Sequence, residues 1–420
     1  MKREVVITGV GMVSPIGIGR DAFWAALDEG RSGIRLVPEL AAAADVPFRL
    51  AGQCPDFDAK QYVQPRKTIK LMCREIQAAY AAAIIAMQDA GLAKDQFDPF
   101  RLGVVLGSEI LYGEIDELIE TYRHSIHDGV FHAGEWTPNA MKDLFPLWML
   151  KYLPNMAACH IGIVNDARGP NNSIVQGGTS SLLAIQEAAS VIERGHADLM
   201  ITGGSGARIA YSGAPFRGWT QLTNWQGAPE EAIKPFDRRR DGGLAGEGAG
   251  MFIIEGRDHA ERRGAKILAK IAGWSSRFEP PTHDRVITGS GIRASISAAL
   301  KSANLQPQDI GHVNANAGGI PSEDRIEAQA IHAELGDVPV TAPKSYFGDL
   351  GASSGAVEML ASVLGLQHGR VPRTLNYQQP DPECPVNVIR DASLPTDKRT
   401  ALVLSQNEMG GAAAIVLTAE

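Results

Sequence analysis

Short apolar runs alternate with longer stretches of helical period along this chain. Residues 5–8 form a β-branched run stopped by Gly9, and residues 101–106 form a second that ends at Gly107-Ser108. Between them, residues 68–92 are rich in Ala, Met and Ile and lack proline, which predicts one long helix closed by Gly91. Residues 180–195 predict another helix, followed by a strand at 199–202 that runs into Gly203-Gly204. Strands are expected at 251–255, 266–273 and 312–314, helices at 289–304 and 323–335, and a closing hairpin-like pair at 402–404 and 413–417. Strand, helix, strand is the repeating grammar, and it places the chain in the α/β class with two halves, 1–255 and 256–420. Pro/Gly-rich loops lie near 212–246, 279–291 and 370–385, and no low-complexity linker interrupts the pattern.

Composition narrows the class. The 420 residues are 44% apolar and 21% charged with net charge −8, an ordinary globular balance with room for more than one core. Mild acidity gives no reason to expect nucleic acid, and it opposes a broad attraction to acidic carrier proteins. Two basic runs, Arg238-Arg239-Arg240 and Arg262-Arg263, read first as solvated faces or internal ion pairs. Cys54, Cys73, Cys159 and Cys384 are scattered, with neither a disulfide framework nor ligand spacing for zinc, so no metal and no cofactor is expected. No apolar stretch reaches the ~18 residues of a membrane span, and the expected location is cytoplasmic. Gly9-Val10-Gly11 follows a strand as a dinucleotide loop would, but Ser14 occupies the third glycine's place.

Two long segments, with shorter ones beside them, carry a resemblance. The chain opens with Arg3-Glu-Val-Val-Ile-Thr-Gly-Val-Gly-Met-Val-Ser-Pro-Ile-Gly17, and continues with Phe23-Trp24 and Gly30-Arg-Ser-Gly-Ile34. Its centre reads Lys234-Pro-Phe-Asp-Arg-Arg-Arg-Asp-Gly-Gly-Leu-Ala-Gly-Glu-Gly-Ala-Gly250, followed by His259-Ala260 and Arg263-Gly-Ala265. In this order they resemble the elongating β-ketoacyl-acyl-carrier-protein synthases over nearly the whole length. The resemblance implies a thiolase fold, two similar halves forming a five-layered α/β/α/β/α core. It also implies a dimer built through the strand before the nucleophile, here residues 173–176, with an identical or a different partner.

The reactive segments depart from that family. Its Gly-Pro-Asn-x-Ser-Ile-x-Thr-Ala-Cys-x-x-Ser segment becomes Gly169-Pro-Asn-Asn-Ser-Ile-Val-Gln-Gly-Gly-Thr-Ser-Ser181, which puts Gly178 at the cysteine. Asn-Ala-His-Gly-Thr becomes Asn314-Ala-Asn-Ala-Gly318, which puts Asn316 at the first histidine. Lys-Ser-x-x-Gly-His becomes Lys344-Ser-Tyr-Phe-Gly-Asp349, so Asp349 replaces the second. Lys344 and Glu327, which match a buried family pair, remain. Thr179 and Ser180 beyond Gly178 read as helix caps rather than nucleophiles. At the C-terminal gate, Asn407 and Met409 stand where aromatics would be and Glu408 replaces a glycine, whereas the glycines at 410 and 411 stay.

Chemistry follows from these replacements. Condensation needs a thiolate to take up the acyl group, and glycine has no side chain to form that intermediate. Two imidazoles would donate to the enolate oxygen during decarboxylation. Asn316 retains a donating amide, but an ionised Asp349 only accepts and repels the oxyanion. Losing a single oxyanion donor costs on the order of 10²–10³ in rate, so loss of the nucleophile as well abolishes elongation. Cys159 beside His160 reads as a small packing residue in a helix. A pairing of Asp349 with Lys344 is expected to satisfy two buried charges.

Two functions from different classes remain. One is a non-condensing partner subunit, similar to the chain-length factors that pair with an active ketosynthase, meeting an acyl carrier protein or acyl thioester. Those subunits carry glutamine at the cysteine position, whereas Gln176 here is two residues early. The other is an enzyme with altered acyl-thioester chemistry, malonyl decarboxylation or acyl transfer, using Asn316, Lys344, Asp349 and Glu327. An acyl-binding scaffold without turnover is a third reading.

Overall fold

The computed structural model describes residues 3–42, 48–209, 221–280 and 287–420. Parts of two expected loops, 210–220 and 281–286, lie outside these described residues. The first half runs β1 (Val5–Ser14), α1 (Arg74–Asp89), β2 (Leu102–Gly107), α2 (Met156–Asn165), β3 (Asn171–Ile174), α3 (Ser180–Glu193), β4 (Leu199–Ala207) and β5 (Glu247–Gly256). The second runs β6 (Ala269–Phe278), α4 (Ser290–Ala303), β7 (His312–Asn314), α5 (Pro321–Leu335), β8 (Pro339–Thr341), α6 (Ser354–His368), β9 (Asn387–Val388), β10 (Thr400–Gln406) and β11 (Gly411–Thr418).

Both halves use one topology. In the first, the spatial order is β1-β5-β4-β2-β3, with β1/β5 and β5/β4 antiparallel and β4/β2 and β2/β3 parallel. In the second it is β6-β11-β10-β7-β8, with the same sequence of antiparallel and parallel pairs, and β9 added at the edge. The halves join through β1 and β6, where Val5, Val6 and Ile7 face Ile271, Lys270 and Ala269.

Side-chain alternation along the strands builds the layers. On β11, Ala413, Ile415 and Leu417 pack with α3 and α6, while Ala412, Ala414 and Val416 pack with α4 and α5. On β5, Phe252 and Ile254 join the same central cluster, while Ala249, Met251 and Ile253 pack against α1 and α2. The result is α/β/α/β/α, with α3 and α6 in the middle layer; α6 is buried from Ser354 to Gly365. Gly9 and Gly11 lie inside β1, which continues through them. A Cβ would meet Ala86 O at 2.5 Å and Ala82 O at 2.1 Å, so these glycines let α1 lie close on the strand and form no nucleotide loop.

The expected helix over 68–92 is two elements. A 3₁₀ segment at Arg66–Leu71 ends at extended Met72 and Cys73, and α1 begins at Arg74. Among the described residues no helix is long and apolar enough to cross a membrane, and no group of His, Cys, Asp or Glu is placed to hold a metal.

Candidate active site

The two middle helices begin alike. A short 3₁₀ turn, Gly177–Thr179, leads into α3, and another, Gly351–Ser353, leads into α6. In the first, the hydroxyls of Thr179 and Ser180 donate to Gln176 O and Gly177 O at 2.8 and 2.7 Å. In the second, Ser353 donates to Leu350 O at 2.9 Å, and Ser354 accepts from Leu350 N at 2.9 Å just as Ser180 accepts from Gln176 N at 2.8 Å. These hydroxyls tie together the turn that precedes each helix; neither helix start carries a side-chain cap, so the capping expected of Thr179 and Ser180 is corrected to turn-holding.

Gly178 lies in the first turn. An added Cβ would stand 3.0 Å from Gln406 O, and the Gly178 carbonyl already accepts from Ser405 Oγ at 2.8 Å. The β10–β11 turn therefore presses on this glycine. Asn407 fastens it, donating from Nδ2 to Gln176 O at 3.0 Å and accepting at Oδ1 from Gly411 N at 2.9 Å. Gly410 has φ +93, and a Cβ there would come within 2.1 Å of Glu279 O, so the turn requires glycine. Met409 is 62% exposed and Glu408 is exposed, so neither side chain plugs a buried gate.

Asn316 follows β7 and is buried. Its N–H donates to Glu327 Oε1 at 2.7 Å, and its carbonyl and Oδ1 accept from Lys344 Nζ at 2.6 and 2.8 Å. With Oδ1 turned to the lysine, Nδ2 is the amide's remaining edge. Burial pushes Glu327 up to about 8, although the Asn316 N–H and the Lys344 charge pull the other way, so at neutral pH it is mostly protonated. Burial favours a neutral Lys344, but Glu358 and Asp349 outweigh it and hold the amine charged. Asp324 accepts from Gly318 N and Gly319 N, each at 3.2 Å, and fixes the loop after Asn316.

The expected pairing of Asp349 with Lys344 is corrected here. Lys344 Nζ makes its ion pair with Glu358 Oε1 at 2.8 Å, and Asp349 makes its own with Arg208. Asp349 Oδ1 also accepts from Gly351 N and Ser354 Oγ, both at 2.9 Å, and so fixes the 3₁₀ turn that leads into α6. Burial would raise this carboxyl, but the Arg208 guanidinium and the Lys344 ammonium hold it at about 2. Asp349 still acts on Lys344 through space, which is the part of the expectation that stands.

None of the thiols lies at this junction. Cys159 is half-buried in α2. Burial pushes Cys54 well up, and Cys73 and Cys384 up to about 12. Of the basic runs, Arg239 and Arg240 pair with Asp237 and Asp381, and Arg262 and Arg263 with Asp258 and Glu255.

Comparison with known proteins agrees with this architecture. Residues 2–260 match the beta-ketoacyl synthase N-terminal domain, and residues 268–378 match the C-terminal domain. The chain belongs to the beta-ketoacyl synthase family. It is 32% identical over 425 residues to a putative polyketide beta-ketoacyl synthase 1 of Streptomyces halstedii, covering 100% of this chain and 98% of that protein. Among solved structures, a type II polyketide ketosynthase complexed with its acyl-carrier protein and bound to a hexaketide has TM-score 0.86 at 26% identity, with 100% of each chain covered. The ishigamide ketosynthase/chain length factor has TM-score 0.85 at 26% identity, again covering both chains fully.

Three residues of this ketosynthase-family site escaped the sequence reading: Glu358, Arg208 and Glu109. Glu358 sits fourteen residues after Lys344, in the second turn of a helix whose apolar content hides a lone acid. Arg208 and Glu109 lie just past strands whose ends converge only in three dimensions, and nothing in the local sequence marks them.

Proposed function

We propose that this chain is a non-condensing member of the family that binds an acyl chain as the partner subunit of an active ketosynthase, in the cytoplasm, in fatty acid or polyketide-type biosynthesis. The observation carrying this reading is Gly178: at the start of α3 it offers no nucleophile, and the Gln406 carbonyl stands 3.0 Å from where a Cβ would be. The neighbouring hydroxyls of Thr179 and Ser180 donate to backbone, and no histidine is present at 316 or 349 to activate them. The exposed strand β3 at the sheet edge supports pairing with a second, related chain. The likeness to a ketosynthase/chain length factor supports the same reading. Co-expression with an active ketosynthase and its acyl carrier protein tests it. Copurification of the two chains and a change in product length are expected. Isolation as a homodimer indifferent to every such synthase would overturn it.

A second reading has one observation in its favour. Lys344 fixes the Asn316 amide by its oxygen, which leaves Nδ2 as a donor for a thioester carbonyl. Acyl transfer without a covalent enzyme intermediate is the chemistry that such a donor assists. Turnover of acyl thioesters by the isolated chain, lost on Asn316→Ala, would establish it.

A further inference from the structure

Among the described residues, seventeen large apolar side chains are exposed, and twelve of them fall within residues 110–175. Apolar residues scattered singly need no explanation, but crowding of this kind marks a face that another molecule covers. Most of the stretch is an arm. The helix Ile115–His124 packs with the helix Ala133–Asp143, and a two-stranded hairpin of Ile126–His127 and Val130–Phe131 joins them. The Trp136 ring centroid lies 4.5 Å from that of Tyr122 and 6.0 Å from that of Phe131. Two imidazole–carboxylate contacts of 2.7 Å, His124 to Asp143 and His127 to Glu135, close the arm on itself. Glu117 anchors its base, accepting from Trp148 Nε1 and Tyr152 Oη at 2.8 Å and pairing with Lys151. The arm is therefore shaped before any partner arrives, yet Val130, Met141 and Met149 each keep more than half of their surface exposed.

This surface is continuous along the chain with the sheet edge. The 3₁₀ turn Trp148–Tyr152 leads into α2, where Ile163 is 77% exposed, and α2 leads to the edge strand β3, followed by exposed Val175. Charge decides what can cover it. Residues 114–151 hold seven carboxylates against Arg123, Lys142 and Lys151, a formal net −4 with histidine neutral, which is half that of the whole chain. Lys151 and Arg123 are taken up by Glu117 and Glu120, whereas Glu114, Asp116 and Asp128 stand exposed. A two-fold pair of identical chains buries the same face on both copies, so covering these apolar side chains with a second copy brings two acidic arms into one interface. A related chain that presents basic side chains there meets apolar contact and opposite charge together.

We propose that residues 114–151 form an acidic arm that docks on a basic face of a non-identical, ketosynthase-type partner chain and opposes pairing with a second copy of itself. This rests on the partner-subunit reading above and names the surface and the chemistry of the partner. Sedimentation of the full chain alone tests the second part. Self-association is weak at about 0.05 M salt and strengthens at least about tenfold by about 0.5 M, and the double variant Asp116→Asn, Asp128→Asn gains as much at low salt. Calorimetric titration with the co-expressed active ketosynthase tests the first. Val130→Ser with Met141→Ser, two exposed positions, weakens that association at least about tenfold at every salt concentration, whereas the aspartate double variant weakens it at low salt only. A homodimer indifferent to salt, a monomer at every salt concentration even in the aspartate variant, or ketosynthase binding unmoved by either double variant overturns the proposal alone. Absence of ketosynthase binding by the wild-type chain overturns it together with the partner-subunit reading.

Discussion

The Asn316 side-chain oxygen lies 2.8 Å from the Lys344 ammonium, and the same ammonium lies 2.8 Å from Glu358. One buried cation therefore sets the orientation of the Asn316 amide, and one buried acid holds that cation. Removing the lysine strands both partners. Lys344→Met is expected to destabilise the chain by about 3–5 kcal/mol, the cost of breaking a buried pair from one side. Equilibrium urea unfolding checks this, and a loss below about 1 kcal/mol would mean that the pair is solvated in solution.

Glu327 gives stability a pH dependence whose sign is opposite to that of an ordinary salt-bridged acid. Its folded-state pKa, about 8, lies above the unfolded carboxyl value, so the folded protein binds the extra proton between the two. This contribution is fully present at pH values below the unfolded value, and it is lost as pH rises through about 8. Asp349, held at about 2, contributes stability that is present above its unfolded value and lost as pH falls toward about 2. Thermal melts from about pH 5 to about pH 8.5 should show a declining Tm, and Glu327→Gln should flatten that decline. An unchanged slope in the variant would assign the proton elsewhere.

Asn407 ties the β10–β11 turn to the residues before α3. Asn407→Ala removes the donor to Gln176 O and the acceptor for Gly411 N. A loss of about 1–2 kcal/mol is expected, together with faster amide exchange confined to the Gly177–Thr179 turn and the β10–β11 turn. Hydrogen exchange followed by mass spectrometry measures both; uniform acceleration across the chain would contradict the local role.

Adding a thiol at 178 is not expected to restore condensation. Gly178→Cys places a Cβ 3.0 Å from Gln406 O, which must shift by a few tenths of an ångström, and no histidine is present at 316 or 349. Elongation by this variant is expected to stay below about 1% of an active synthase's rate, since losing a single oxyanion donor already costs about 10²–10³. Product analysis by mass spectrometry checks it, and turnover near that of a synthase would show that the acceptor side of the site is intact.

Much of the fold was legible because short apolar runs and helical periods are local signals. The strand at 312–314 and the helix ending at Leu335 fall where their patterns put them. The signal failed where tertiary packing overrides composition. The strand expected at 199–202 continues to Ala207, because Gly203 and Gly204 are there to admit neighbouring backbone rather than to stop the strand. Nothing in the composition of 68–92 marked the extended break at Met72 and Cys73. At the site, the sequence names each residue but does not reveal its partner. Asp349 finds Arg208 across 141 positions, a distance over which no periodic pattern carries information. The exposed Met409 illustrates the same limit, since an aromatic-to-methionine change says nothing about which way the side chain turns.

With glycine at 178, no acyl group is expected to become covalently attached to this chain. Intact-mass measurement of the purified protein after incubation with acyl-carrier thioesters tests it most directly. An unchanged mass is expected for this chain, with the adduct appearing only on an active ketosynthase when one is added. An acyl increment on the lone chain would contradict it.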